Sequence, residues 1–170
     1  MTLPAEDFRA GMRHLAASVC IVTAVAPDGS RSGFTATAVC SVSAEPPTLL
    51  ICANRGNGTH DVIVDAGHYA VNVLAEEDRD LANRFASNLP GEARFEQGGW
   101  TRLASGAPVL ENALASFDCK LVERVDGGTH GVMFGEVIAL RLRGDAAPAL
   151  LYAHGDYGVF APLRHADQQE

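Results

Sequence analysis

Two short stretches of this 170-residue chain carry residue types suited to binding an anion and a flat ring. In the run Asn54-Arg55-Gly56-Asn57-Gly58-Thr59, the residues Arg55, Asn57 and Thr59 alternate with two glycines. Glycine lets backbone N–H groups come close to an oxyanion, and Thr59 stands where it can cap a following helical turn. A phosphate at a helix start gains bonds from those N–H groups and a charge-assisted bond from Arg55. The same residues also suit a plain Gly/Asn turn with a solvated arginine. Upstream, residues 33–47 alternate strictly. Thr35, Thr37, Val39, Ser41 and Ser43 fall on one side, and Ala36, Ala38, Cys40 and Val42 on the other. This period of two predicts one strand with two different faces. One face bears short hydroxyls without charge, and the other only small side chains. Such a strand can have an ordinary wet face. It can also be the wall for a planar ligand edged with carbonyls and ring nitrogens, whose phosphate tail reaches the glycine loop.

Other chemistries lack their residues. There is no Gly-x-Ser-x-Gly elbow and no P-loop, and Gly56–Asp61 lacks both the final glycine and the βαβ setting of a dinucleotide fingerprint. Cys20, Cys40, Cys52 and Cys119 fit no zinc or redox spacing. Each lies in an apolar, strand-like run, which predicts buried free thiols. The six histidines show no metal-ligand spacing. A net charge of −8 argues against nucleic acid and anionic membranes as partners. No apolar run approaches the roughly 18 residues of a membrane span. The N-terminus lacks the basic-then-apolar order of a signal peptide, so the chain reads as cytoplasmic. An apolar content of 47% with 20% charged residues fits a single globular domain over residues 1–170.

The elements that must position the two stretches follow from periodicity. Residues 6–17 predict an amphipathic helix with Phe8, Met12, Leu15 and Ala16 on its apolar face. Residues 19–26 predict a strand, turned at Pro27-Asp28-Gly29 into a hairpin with the alternating stretch. Glu45-Pro46-Pro47 ends that strand. Residues 48–53 are apolar throughout and predict a strand buried on both faces. One or two helical turns over 61–67 and a strand over 68–74 come next. Residues 75–89 predict the strongest helix, with Leu81, Phe85 and Leu89 on one face. Residues 90–108 read as irregular, and strands follow over 115–125, 131–142 and 149–155. The sum is a mainly β antiparallel barrel with peripheral helices. The uncharged strands 19–26 and 48–53 need more cover than one chain gives, which predicts a dimer.

Flavin mononucleotide has the shape that the two stretches suit. The segments 8–23, 33–55, 69–74, 81–86, 95–100, 106–121, 128–137 and 155–158 resemble, in order and spacing, the short-chain flavin reductase family. The similarity is greatest to the branch that includes the reductases of 4-hydroxyphenylacetate and pyrimidine-ring degradation. The resemblance implies a split β-barrel, a homodimer, and hydride transfer from NADH (or NADPH) to FMN (or FAD). It also implies that reduced flavin is supplied to a flavin-dependent monooxygenase. By resemblance, Thr35, Ala36, Thr37 and Ala38 line the flavin ring. Ser41, Ala53, Asn54, Arg55, Asn57 and Thr59 meet its ribityl and phosphate groups, and Asn72 lies in the pocket strand. Arg84 and Phe85 stand at the outer part of the site, Tyr157 near it, and His130 where nicotinamide docks. The family's Gly-Asp-His motif has Thr129 in place of the aspartate. No acid–base pair is called for, since the cofactors carry the chemistry and the protein aligns their rings at about 3–3.5 Å. No arginine pair suggests a 2′-phosphate site, which favours NADH. Two other readings stay open: a flavin-retaining electron-transfer or corrinoid-reducing protein, and a small barrel acting only as an interaction module.

Overall fold

The structure is a computed structural model that describes residues 2–163. In chain order the elements are helix α1 (Ala5–Met12), strands β1 (Ala17–Ser18), β2 (Cys20–Val25), β3 (Arg31–Ala36), β4 (Val39–Ala44) and β5 (Pro47–Asn54), helix α2 (Thr59–Ala66) and strand β6 (His68–Val73). A 3₁₀ turn leads to α3 (Arg79–Ala86) and α4 (Gly91–Arg94). Then follow β7 (Trp100–Arg102), β8 (Pro108–Leu110), β9 (Ala115–Gly127), β10 (His130–Leu142), β11 (Leu151–Ala153) and β12 (Asp156–Gly158).

Seven strands form one antiparallel sheet in the order β3-β2-β6-β9-β10-β5-β4. The strands β3 and β4 are neighbours in sequence yet lie at its opposite edges. Only Thr37 and Ala38 join them, and three residue steps span at most roughly 11 Å. The sheet must therefore curl until its two edges almost meet. The Ala38 carbonyl accepts the Cys52 N–H at 3.1 Å, which carries the β4–β5 ladder one residue into the link. The result is a barrel split between β3 and β4.

The alternating pattern explains which side chains fill it. Val22, Phe34, Ile51, Tyr69, Val71 and Met133 point inward, and Ile63 of α2 packs onto the same cluster. A second cluster on the other side of β2 and β6 joins Val19, Ile21 and Leu74 to Leu81 and Phe85 of α3. There Phe85, Phe95 and Trp100 pack with ring centroids 4.9–5.4 Å apart, within the favourable aromatic range.

Several expectations change. Residues 33–47 form two strands, not one, because the chain crosses the split at Thr37-Ala38 from one sheet edge to the other. Strand β5 buries one face only: Leu49, Ile51 and Ala53 point inward, while Thr48, Leu50 and Cys52 stay partly exposed. The first helix is shorter than residues 6–17 and buries none of its residues, leaving Phe8 57% exposed. Its amphipathic pattern marks a face that needs cover without saying what supplies it. Leu89 lies beyond the end of α3 and is exposed. Residues 90–108 hold α4 and the β7–β8 ladder. Cys20 and Cys119 are buried, and burial pushes both thiols up to about 12. Cys40, on the edge strand β4, is exposed, and Cys52 is half-buried.

The sequence places Asn72 in a pocket strand. It lies instead at the hub of a buried polar network. Its Nδ2 donates to the Ile21 carbonyl at 3.1 Å, and its Oδ1 accepts from Leu110 N–H and from Ser116 Oγ, each at 2.9 Å. One amide thus ties β6 to β2, β8 and β9. Its removal leaves buried donors without acceptors, at about 1–3 kcal/mol each. Asn72→Ala is expected to lower the unfolding free energy by about 2–4 kcal/mol in a urea titration. A loss below about 0.5 kcal/mol, the usual range of a surface change, would show that the network carries little of the barrel's stability.

Candidate active site

A cavity of about 690 Å³ opens at the split. One wall is the end of β3 with its link, from Phe34 to Ala38. Opposite stand Cys52 and Asn54 at the end of β5, the loop residues Gly56, Asn57 and Gly58, and His130. The outer rim is Phe85 to Asn88 with Arg94. The strand order brings these together, because β5 pairs with β10 in the register His130↔Asn54.

The small wall is built by close packing. A Cβ at Gly33 would lie 2.9 Å from both Phe85 Cε1 and the Val22 carbonyl oxygen, so glycine lets α3 sit against β3. The Thr35 hydroxyl donates to the Ala82 carbonyl at 2.6 Å. The hydroxyl row is therefore not uniform: Thr35 anchors α3, while Thr37 is exposed at the cavity. Ser41 lies on exposed β4 and outside the lining. Ala53 is fully buried and faces the barrel core.

The glycine loop holds most of its own donors. Arg55 N–H bonds the Thr129 carbonyl, Gly56 N–H the Asn54 Oδ1, and Asn57 N–H the Asn54 carbonyl. Thr59 N–H bonds the Asn57 Oδ1 at 3.1 Å, and His60 N–H the Asn57 carbonyl. Among the described residues, the Gly58 N–H has no such partner. Thr59 does not cap α2. The N-cap is Gly58, and the Thr59 hydroxyl instead meets Ser32 Oγ at 2.7 Å. Arg55 is paired with Asp126 and lies outside the lining. Together with the Arg55 N–H bond it latches the loop onto the β9–β10 turn.

His130 is half-buried, and its Nδ1 lies 2.9 Å from the Thr129 hydroxyl. The threonine thus supplies a neutral partner that fixes the ring. Phe85 lines the cavity, but Arg84 turns away and bonds the Ala93 and Arg94 carbonyls and Glu96. The Tyr157 hydroxyl donates to Asn83 Oδ1 at 3.0 Å on the far side of α3. No sequence signal pointed to Arg94, a lone arginine in a stretch that reads as irregular. It lines the cavity and donates to the Gly33 and Ser87 carbonyls, so it clasps β3 to the end of α3. Burial lowers its pKa from the usual arginine value. Among the described residues the lining contains no carboxylate, and no cluster of three His, Cys, Asp or Glu could hold a metal. The site can bind and orient; it has no evident nucleophile with a base beside it.

A family model described as a flavin reductase like domain matches residues 12–161. The chain is 44% identical over 163 residues to the FMN reductase (NADH) RutF of Variovorax paradoxus (strain S110), covering 96% of this chain and 89% of the relative. Among solved structures it is similar to the NADH:FAD oxidoreductase SgcE6 of Streptomyces globisporus C-1027 in complex with NAD and FAD fragments. There the TM-score is 0.85 at 28% identity, over 95% of this chain and 98% of the other. It is also similar to BorF, the flavin reductase component of a bacterial two-component tryptophan halogenase. That match has a TM-score of 0.84 at 29% identity, over 94% of this chain and 100% of the other.

The exposed Ala38 tests the small wall without disturbing the core. Ala38→Leu is expected to weaken FMN binding by about tenfold, ~1.4 kcal/mol, in a flavin fluorescence titration, with an unchanged melting temperature. Unchanged binding would place the ring elsewhere.

Proposed function

The chain belongs to the flavin reductase-like family, and from that premise we propose that it transfers hydride from NADH to FMN and releases the reduced flavin to a partner monooxygenase. The observation that carries this reading is the cavity at the split. Its small, uncharged wall at Thr35–Ala38 faces a loop that leads into a helix N-terminus. A flavin fits these residues: the wall leaves room for a flat ring, and Gly58 with the start of α2 offers a free N–H toward a phosphate. The relatives named for FMN and NADH, and the neighbour holding NAD and FAD fragments, support the same choice of cofactors. The halogenase reductase component supports delivery to a partner enzyme.

When bound, flavin supplies the two-electron acceptor for a hydride from reduced nicotinamide. The chain's own part is alignment. Backbone N–H groups of the Thr35–Ala38 wall would meet the polar edge of the ring, where charge grows on reduction. His130, held by Thr129, would fix the approach of the nicotinamide carboxamide. Asn54 and Asn57 shape the phosphate loop, and Arg55 latches it. Thr59, Asn72, Arg84 and Tyr157 would act through the elements that they hold. Val122 of β9 and Ile138, Leu140 and Leu142 of β10 are exposed. A second copy of the chain would cover them, so the working form would be a homodimer. No described helix is long and apolar enough to cross a membrane.

The test is NADH oxidation followed by absorbance without flavin and with FMN, FAD or riboflavin added. Oxidation that starts only when flavin is added supports the reading. Colour kept through dialysis, with poor turnover of free flavin, would move it to a flavin-retaining electron carrier. No flavin-dependent oxidation at all would reject it. His130→Ala is expected to raise KM for NADH several-fold while KM for FMN changes little. An equal change in both would remove His130 from the nicotinamide side.

A further inference from the structure

His60 follows the glycine loop as the second residue of α2, and it is only 5% exposed. Its Nδ1 lies 2.8 Å from the Asp61 carboxylate. A carboxylate only accepts, so Nδ1 is the donor. The Nε2 atom is buried and has no hydrogen-bond partner among the described residues. An apolar side chain could fill such a space without leaving a polar atom unpaired, so burial alone does not explain a histidine here.

What the ring touches does explain it. A Cβ at Gly131 would lie 2.8 Å from His60 Nε2 and 3.1 Å from its Cδ2, while the next atom, Met133 Cε, stands at an ordinary 3.7 Å. Gly131 has no left-handed backbone, so its own conformation does not require glycine. The close approach of the His60 ring does. Gly131 follows His130 in β10 and pairs with Ala53 of β5 and Asp126 of β9. The main chain of His60 meanwhile belongs to the loop, since its N–H bonds the Asn57 carbonyl at 2.9 Å. One residue therefore spans from the loop and the start of α2 to the strand that carries His130. Asp61 holds the flat ring at one nitrogen, and β10 meets it at the other.

We infer that His60 is a positioning residue whose ring keys the start of α2 to β10, so that the Gly58 N–H and His130 share one frame. This rests on the flavin reductase reading and deepens it. Donors bind an anion well only when they are already in place. The Thr35–Ala38 wall is held by a different element, α3, through the Thr35 hydroxyl. A displaced His60 ring therefore shifts the phosphate end of the site and leaves the ring end standing. Riboflavin, which has the flavin ring without the phosphate, reports the difference.

The test is a flavin fluorescence titration of Gly131→Ala and of the double variant Gly131→Ala/His60→Asn, each with FMN and with riboflavin. The single variant pushes a methyl group into the His60 ring. It is expected to raise Kd for FMN about tenfold and to leave Kd for riboflavin unchanged. Asparagine is shorter than histidine and keeps a donor for Asp61, so the double variant is expected to recover FMN affinity to within about threefold of the unaltered protein. No recovery would overturn the inference. An equal loss for FMN and riboflavin would also overturn it, by reducing the contact to plain packing. If the single variant fails to fold, a folded double variant that binds FMN supports the key, and an unfolded double variant overturns it. Hydrogen exchange in the flavin-free protein separates this inference from the reductase reading. Exchange at residues 56–62 is expected to quicken about tenfold or more in Gly131→Ala and to slow again in the double variant. Unchanged exchange there would reject the key by itself, whether or not flavin binds.

Discussion

The structure depends on a short tether. Two residues, Thr37 and Ala38, join strands at opposite edges of a seven-stranded sheet. A flat sheet would hold those edges far apart, at nearly 5 Å per strand, so the sheet has to close on itself. Closure creates the core, and its incompleteness creates the site. Where the chain crosses from one edge to the other it cannot pair fully with either. Main chain and small side chains are left facing a cavity in place of a neighbouring strand. The same crossing also puts Thr37 and Ala38 in the lining of two cavities, one at the split and one against α1.

Much of this was legible in the sequence, and the failures have physical causes. The Pro27-Asp28-Gly29 turn and the long strands β9 and β10 follow from period-two patterning and turn chemistry. The split did not, because alternation runs through Thr37-Ala38 without interruption. A strand that continues and a strand that crosses to another edge have the same residue pattern. The glycine loop stands out by its residue types, yet its internal bonds were hidden, since Asn54 and Asn57 spend their side-chain oxygens on the loop's own N–H groups. Arg55 looked like the anion's partner by proximity. Register brought Asp126 to it first. Arg94 lay in a stretch without any motif, and only tertiary structure brings it to a cavity.

Charge placement fits the chemistry that the site must support. Hydride transfer requires two aligned rings and little else from the protein. The lining accordingly contains no carboxylate among the described residues. His130 is steadied by a hydroxyl in place of an acid. Of the described arginines that border the flavin cavity or hold its loop, Arg94 and Arg55 are both occupied by protein partners. Few free charges therefore face this cavity among the described residues.

The most direct measurement of the central claim is a crystal structure with FMN bound. The account predicts the isoalloxazine ring against Thr35–Ala38 at the barrel split, the phosphate at Gly58 and the start of α2, and His130 beside the exposed ring face. Flavin density outside the split, or a ring seated away from the β3–β4 link with its phosphate on other residues, would contradict it.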